Sequence, residues 1–103
     1  MTDQNIFEIA HIDIGHNNAK DFEAAVAKAR PLFQRAKGCV SMRLIRQLET
    51  PSQYILLVGW KTLDNHMVDF RESQDFQSWR ALVGGFFHTK PTVYHTQSVT
   101  EIF

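Results

Sequence analysis

The chain has 103 residues, of which 44% are hydrophobic and 21% are charged, and its 11 Lys and Arg side chains balance 11 Asp and Glu. This length suits one core, so we expect a single domain over residues 1–103. The balanced charge argues against nucleic acid and against an anionic membrane as partners. No apolar run approaches the roughly 20 residues of a membrane span, and the N-terminal MTDQN lacks the basic start of a secretion signal. We therefore expect a cytoplasmic protein.

The first third of the chain predicts a strand followed by an interrupted helix. The segment 6–14 (IFEIAHIDI) places apolar side chains on both faces of a strand, which is typical of a strand buried on both sides. Apolar positions then recur at helical spacing over residues 19–37. Pro31 predicts a kink or a fresh start within this helix, and Gly38 predicts its end.

The rest of the chain predicts a hairpin, two helices and a last strand. Residues 39–48 alternate with one polar face, and residues 54–60 (YILLVGW) are typical of a central strand. Helical patterns follow at 63–71 and at 74–86, where Ser73 can cap the second helix. Residues 92–100 (TVYHTQSVT) alternate again and form the last predicted strand.

The predicted order β-α-β-β-α-β is that of ferredoxin-like α+β folds, in which a four-stranded antiparallel sheet carries both helices on one face. The opposite face would leave Phe7 and Ile9 in water. Such exposure costs about 2 kcal/mol for each large apolar side chain. We therefore expect a homodimer in which two sheets face each other as an α+β barrel.

Several stretches resemble those of a known family. They are GCVSMRLIRQLE (38–49), followed by Pro51 and YILLVGW (54–60), and later FRESQDFQSW (70–79). They are similar to the antibiotic biosynthesis monooxygenases, a family of dimeric α+β barrels, and the similarity covers nearly the whole chain. Some members of this family oxidise aromatic polyketides or quinols with O₂ and without metal or flavin. The resemblance implies the fold, whereas the reaction is not fixed by the fold.

Other members of the same family cleave haem with an Asn on the first strand, a Trp on the second helical segment and a later His as iron ligand. The resemblance places Ala10, Phe70 and Arg80 at those three positions. An arginine cannot ligate iron, which argues against haem cleavage. Only His66, about one helical turn before Phe70, could replace the missing ligand.

His66 and Arg80 are the candidate catalytic residues. An unperturbed histidine has a pKa near 6.5 and can move a proton at neutral pH, so His66 could act as a general base at a pocket rim. An inward-pointing Arg80 would stabilise the oxyanion of a bound phenol. The alternatives are an exposed histidine beside Asp69 or Phe70 and a surface arginine paired with Asp75 or Glu72.

An apolar slot for an aromatic ligand is predicted from the aromatic side chains of the last two helical segments. Its walls would be formed by Phe70, Phe76, Trp79 and Phe86, with Trp60 at the end of the central strand and, by the resemblance, Ala10. An aromatic stripe at helical spacing is also typical of a plain core. For Trp60 in particular, the resemblance implies a structural role more than a role in binding.

The remaining candidates are two histidines and a cysteine. His11 and His95 lie on the first and last strands. If their side chains shared a face they would touch, as a proton relay or as two metal ligands, although two imidazoles alone make a weak metal site. The alternative is that each is a separate, hydrogen-bonded histidine. Cys39 is the only cysteine, and we expect it to be a buried, unreactive thiol. The sequence thus indicates no metal and no cofactor.

Three functions remain open from the sequence. The first is a cofactor-independent monooxygenase, an oxidoreductase acting on a small quinol or phenol. The second is a non-enzymatic homodimer that binds a small apolar or aromatic molecule or only assembles, and the third is haem cleavage. A cavity between the sheet and the helices favours the first function, whereas a slot filled by its own side chains favours the second.

Overall fold

Strands and helices alternate along the chain in the computed structural model, which describes residues 6–103. The strands of this part are β1 (Ile6–Asp13), β2 (Cys39–Arg46), β3 (Gln53–Trp60) and β4 (Thr92–Gln97). Its α-helices are α1 (Ala19–Lys28), α2 (Arg30–Gln34) and α3 (Gln74–Val83). A π-helix at Asn65–Phe70 precedes α3, and a 3-10 turn at Gly84–Phe86 follows it.

The strands form one antiparallel sheet in the order β2-β3-β1-β4. This topology confirms the predicted ferredoxin-like α+β fold. The central pair, β1 and β3, runs in register from Ile6 opposite Trp60 to Asp13 opposite Gln53. The apolar run YILLVGW therefore lies in the middle of the sheet, as its composition predicted.

The helices cover one face of the sheet and build the core there. On this face Ala10 lies opposite Leu56 and Ile12 opposite Tyr54, and none of these four side chains is more than 4% exposed. The ring of Phe22 from α1 packs against Tyr54, with ring centroids 4.9 Å apart. Helices packed on one face of the sheet are what the β-α-β-β-α-β order of elements predicts.

The opposite face of the sheet carries apolar side chains that no described helix contacts. The register sets Ile9 beside Leu57 of β3 and beside Tyr94 of β4. The ring of Tyr94 remains 46% exposed in the single chain. The uncovered face is defined by Phe7, Ile9, Leu57 and Tyr94.

The helix boundaries follow from local chemistry. Asn18 caps α1 by accepting the N–H of Asp21, and Ser73 caps α3 by accepting the N–H of Phe76. α1 ends before Ala29 and α2 begins with Pro31 in its first turn, which confirms the predicted interruption. No helix in residues 6–103 is long and apolar enough to cross a membrane.

The helix predicted over residues 63–71 is a π-helix at Asn65–Phe70. Its wider turn shows in the hydrogen bond from the N–H of Arg71 to the carbonyl of His66, five residues earlier. Turns of this kind are rare and often lie at functional sites. Here the turn buries His66 to 4% and Phe70 to 3% exposure, so the predicted alternative of an exposed His66 is wrong.

Gly38 lets the chain approach the π-helix closely. Its φ of +77° lies in the left-handed region that favours glycine. The prediction that Gly38 ends the helix is wrong, because α2 already ends at Gln34 and Gly38 lies in the turn before β2. A Cβ at this position would collide with the side chain of Asn65. The connection into β2 therefore packs directly on the segment that carries His66.

Two predicted strands are longer than the observed ones. The strand predicted over 92–100 ends at Gln97, which pairs with Ile6 of β1. The strand predicted over 39–48 ends at Arg46, before the turn that leads into β3. Alternation alone continues past the last pairing partner, so it overestimates strand length.

Candidate active site

A cavity of about 1090 Å³ lies between the sheet and α3. Its sheet side is formed by Glu8, Ala10, Ile12 and Leu56, and its helix side by Phe76, Trp79 and Arg80. The volume is large enough for a small molecule, and the walls combine apolar side chains with charged and polar ones, among them Glu8, Arg71 and Arg80. Open space therefore lies between the sheet and the helix, but only Ala10, Phe76 and Trp79 of the predicted slot residues line it.

A buried carboxyl group lies in the wall of this cavity. Glu8 is 6% exposed, and its Oε1 accepts the indole N–H of Trp60 at 3.1 Å. Nε2 of His66 lies 3.3 Å from the same oxygen. Nδ1 of His66 in turn lies 2.8 Å from Nε2 of His95. We call Glu8, Trp60, His66 and His95 the Glu8 cluster.

Strand register and the π-helix bring the Glu8 cluster together. Glu8 lies on the covered face of β1, beside Val58 of β3 and directly opposite His95 of β4. The ring of His66 stacks on that of Trp60, with centroids 5.1 Å apart and planes inclined by 20°. Three strands and one helix thus fix the four side chains.

Burial shifts the pKa values of the cluster in opposite directions. Loss of solvation raises the pKa of Glu8 from 4.5 to about 7, although the Trp60 hydrogen bond and the charge of Arg71 oppose the rise. Burial is the main cause that lowers the pKa of His66 to about 4, and electrostatic repulsion by His95 and Arg71 lowers it further. Burial and Arg71 also lower the pKa of His95. Near pH 7 the histidines are neutral, and the carboxyl group is close to its midpoint.

Cationic side chains line the same cavity. Arg71, Arg80 and Lys90 all contribute to its wall, and Glu8 is its only acidic residue within the described part of the chain. The guanidinium carbons of Arg71 and Arg80 each lie 5.9 Å from the ring centroid of Phe76. Asp75, proposed above as a surface partner of Arg80, forms its ion pair with Arg35 at 2.7 Å.

The structure divides the sequence-predicted site residues into two groups. The cavity is lined by Ala10, His66, Phe76, Trp79 and Arg80. Trp60, Phe70 and Phe86 pack in or against the core: Trp60 has no exposed surface, Phe70 contacts Phe33, and Phe86 contacts Phe22. Phe87 and not Phe86 is part of the cavity wall, because the helix tightens into a 3-10 turn before it.

His11 and His95 lie on opposite faces of the sheet and do not meet. His11 is level with Thr92, and its Nε2 lies 3.1 Å from the hydroxyl of Tyr94 on the uncovered face. His95 points to the helical side and contacts His66. The partner of His95 is thus the histidine that the sequence analysis considered separately.

Sequence reasoning missed Glu8 altogether. The signal was present, because Glu8 lies between Ile6 and Ala10 on the strand face that is otherwise apolar. A charged residue is rarely buried without a hydrogen-bonding partner. Its partners, Trp60 and His66, lie more than 50 residues away, so no local pattern could name them.

The donor set does not fit a haem iron. Both ring nitrogens of His66 have close neighbours, with Nε2 3.3 Å from Oε1 of Glu8 and Nδ1 2.8 Å from Nε2 of His95. Arg80 stands where the haem-cleaving relatives carry their ligand. Among residues 6–103, no group of three or more His, Cys, Asp or Glu side chains is arranged to hold a metal ion. No step below depends on haem.

Cys39, predicted to be buried, is only partly buried; it pairs with Trp60 but forms none of the hydrogen bonds of the Glu8 cluster. Its Sγ lies 3.8 Å from the carbonyl of Ser41, and burial raises the pKa of the thiol to about 11. A thiol that resists ionisation is a poor nucleophile at neutral pH.

The chain belongs to the antibiotic biosynthesis monooxygenase family, whose model matches residues 5–82. A Bordetella bronchiseptica protein that carries the name of this family is 55% identical, with a TM-score of 0.90 over 92% of this chain and 97% of that one. YczJ of Bacillus subtilis, an uncharacterised protein, is 37% identical over 89% of this chain and 97% of its own length. SnoaB of Streptomyces nogalater, a cofactor-independent oxygenase, is 18% identical and has a TM-score of 0.71, covering 99% of this chain and 97% of SnoaB.

Proposed function

We propose that the protein is a cofactor-independent monooxygenase that oxidises a small quinol or related phenol with O₂. The observation that carries the proposal is the cavity, in which a buried carboxyl group lies in the same wall as aromatic side chains and three cationic side chains. Membership of the monooxygenase family supports the class of reaction. The fold shared with SnoaB, itself a cofactor-independent oxygenase, is consistent with chemistry that draws its electrons from the substrate.

The proposed reaction balances without an external reductant. A quinol and O₂ would give a hydroxyquinone and water: one oxygen atom enters a ring C–H position, and the other leaves as water with two hydrogens of the substrate. The electrons come from the ring, which reacts more readily as a phenolate than as a phenol. The protein then has two tasks, which are to ionise the hydroxyl group and to hold the resulting anion in a dry cavity.

The residues of the cavity suit these two tasks. The pair of Glu8 and His66 would take the phenolic proton, since the carboxyl oxygen and the imidazole nitrogen lie 3.3 Å apart in the wall. Arg80, together with Arg71, would stabilise the phenolate from the exposed rim of the cavity, because a positive charge stabilises developing negative charge nearby. Trp79 and Phe76 would hold the ring.

Oxygen uptake by metal-stripped protein with a panel of quinols tests this proposal. We expect turnover above the buffer rate for at least one quinol, with a fall of about 10²-fold or more in Arg80→Gln and in His66→Ala. Arg30→Gln, an exposed arginine of α2 outside this cavity, is the matched control and should keep the parent rate. Uptake at the buffer rate for every quinol, or equal rates in parent and both variants, would reject the function.

We also propose that the protein works as a homodimer whose uncovered sheet faces pack together. Phe7, Ile9 and Leu57 of this face are only partly buried in the single chain, and Tyr94 is 46% exposed. Contact with a second copy would remove this apolar surface from water, at about 25 cal/mol for each Å². The cavity lies on the other side of the sheet, so the dimer would leave it open.

A further inference from the structure

We propose that Glu8 is the catalytic proton acceptor of this site and that Trp60, His66 and His95 position it. This inference rests on the proposed monooxygenase function and deepens it, since it names the group that ionises the substrate. The substrate class that fits is an aromatic compound with an acidic O–H, a phenol or an enol. His66, the base expected from the sequence, becomes a positioning residue.

One oxygen of Glu8 is held by the protein, and the other is left for a ligand. Oε1 accepts the indole N–H of Trp60 at 3.1 Å and lies 3.3 Å from Nε2 of His66. Oε2 forms no hydrogen bond within residues 6–103, and Glu8 is part of the cavity wall. A substrate hydroxyl group in the cavity would therefore meet Oε2.

If His66 donates a hydrogen bond to Glu8, it has no nitrogen left to take the substrate proton itself. A neutral imidazole has one N–H donor and one acceptor nitrogen. If Nε2 of His66 donates to the Glu8 carboxylate, Nδ1 must accept, and the N–H of His95 Nε2 at 2.8 Å supplies that bond. His95 thereby fixes the tautomer of His66, and no nitrogen of His66 remains free for a substrate.

The charged surroundings of Glu8 suit reversible ionisation. Arg71 is the cation whose charge acts on Glu8, His66 and His95 alike, and Arg80 and Lys90 line the same cavity. These cations favour a carboxylate, whereas burial opposes it and holds the pKa of Glu8 at about 7. An acid–base catalyst works best when its pKa lies near the working pH.

Every proton of this step can be followed from donor to acceptor. The substrate O–H bond breaks and an O–H bond forms at Oε2 of Glu8, which leaves a phenolate beside the cations and a neutral carboxyl group. O₂ then accepts electrons from the phenolate ring. The same proton returns from Glu8 to the oxygen atom that leaves as water, so each turnover ends with Glu8 ionised again.

The ionisation step can be measured without turnover, using 4-hydroxybenzaldehyde as a probe. Its phenolate absorbs at longer wavelength than its phenol or the protein. At pH 7 we expect the parent to ionise the bound probe with no proton release to the buffer, as measured by calorimetry in two buffers of different ionisation enthalpy. In Glu8→Gln, whose amide cannot accept the proton, the ionised fraction of bound probe should fall at least tenfold.

The positioning roles have their own readout. His95→Phe removes the donor to His66, which weakens the hydrogen bonds to ionised Glu8, so the pH midpoint of probe ionisation should rise. His95→Gln keeps an N–H donor and should restore the parent midpoint, and His16→Gln, an exposed histidine in the turn after β1, should match the parent.

Three results would overturn the assignment: no phenolate signal in the parent, equal ionisation in Glu8→Gln, or an unchanged midpoint in His95→Phe. Probe ionisation that depends on Glu8, in a protein that takes up no oxygen with any quinol, would support Glu8 as proton acceptor and reject the monooxygenase function alone.

Discussion

Glu8→Gln is expected to make the folded protein more stable at pH 8, by about 3 kcal/mol, while removing its proton acceptor. Glu8 is buried at 6% exposure, and burial raises the pKa of its carboxyl group from 4.5 to about 7. Such a rise in pKa corresponds to about 3 kcal/mol of unfolding free energy once the group is ionised in both states. Glutamine keeps an oxygen for the Trp60 N–H and carries no charge.

The direction in which stability changes with pH depends on whether the folded or the unfolded state holds the proton. Between pH 4.5 and about 7 the folded protein keeps the proton of Glu8 and the unfolded chain loses it, so stability falls as pH rises through this window. His66 acts oppositely, because its lowered pKa of about 4 makes stability fall as pH drops below 6.5. Between about pH 4.5 and 6.5 the stability lost through Glu8 and the stability gained through His66 offset each other as pH rises. Above pH 6.5 only the loss of stability from Glu8 continues, up to about pH 7.

Urea unfolding of parent and variant at pH 4 and pH 8 measures the effect. At pH 4 the two proteins should have nearly equal unfolding free energies, since Glu8 is then protonated in both the folded and unfolded states. Glu72→Gln changes an exposed glutamate and should show no such difference between the two pH values. A variant no more stable than the parent at pH 8 would contradict the burial of an ionised Glu8.

Ile9→Glu is expected to convert a homodimer into a folded monomer. Ile9 lies at the centre of the uncovered face, between Leu57 of β3 and Tyr94 of β4. Two symmetry-related carboxylates would then be buried against apolar side chains, and each unpaired buried charge costs several kcal/mol. In the single chain the same side chain is only partly buried, so the fold itself should tolerate the change.

Sedimentation velocity at micromolar concentration distinguishes the outcomes, with circular dichroism as a check on folding. The parent and Leu63→Glu should both sediment as dimers, because Leu63 is exposed at 47% before the π-helix and away from the uncovered face. A monomeric parent, or a dimeric Ile9→Glu, would show that this face does not form the interface.

The topology was predictable because each strand coincides with a segment whose apolar pattern is visible in the sequence. The apolar run at 54–60 and the two-faced pattern at 6–14 both predicted central strands, and these became β3 and β1. Pro31 marked the break between α1 and α2 because its ring and missing N–H disrupt a continuous helix. Such signals are local, so a single sequence suffices to find them.

The Glu8 cluster was not predictable, because it depends on register and on an unusual helical turn. Only the pairing of β1 with β4 shows that His95 lies opposite Glu8 while His11 faces the other side. A shift of one residue would exchange these faces. Helical spacing likewise left the burial of His66 open, because the π-helix that turns it inward has no reliable sequence signal.

The role of Glu8 depends on its ionisation, which its own titration measures. Carbon-13 NMR of the side-chain carboxyl groups, with Glu8→Gln to assign the signal, follows its ionisation in the intact protein without any substrate. The account predicts a pKa of about 7 for Glu8, and a still higher pKa in Trp60→Phe, where the carboxylate loses its indole donor. A pKa near the ordinary value of 4.5, unchanged by Trp60→Phe, would contradict it.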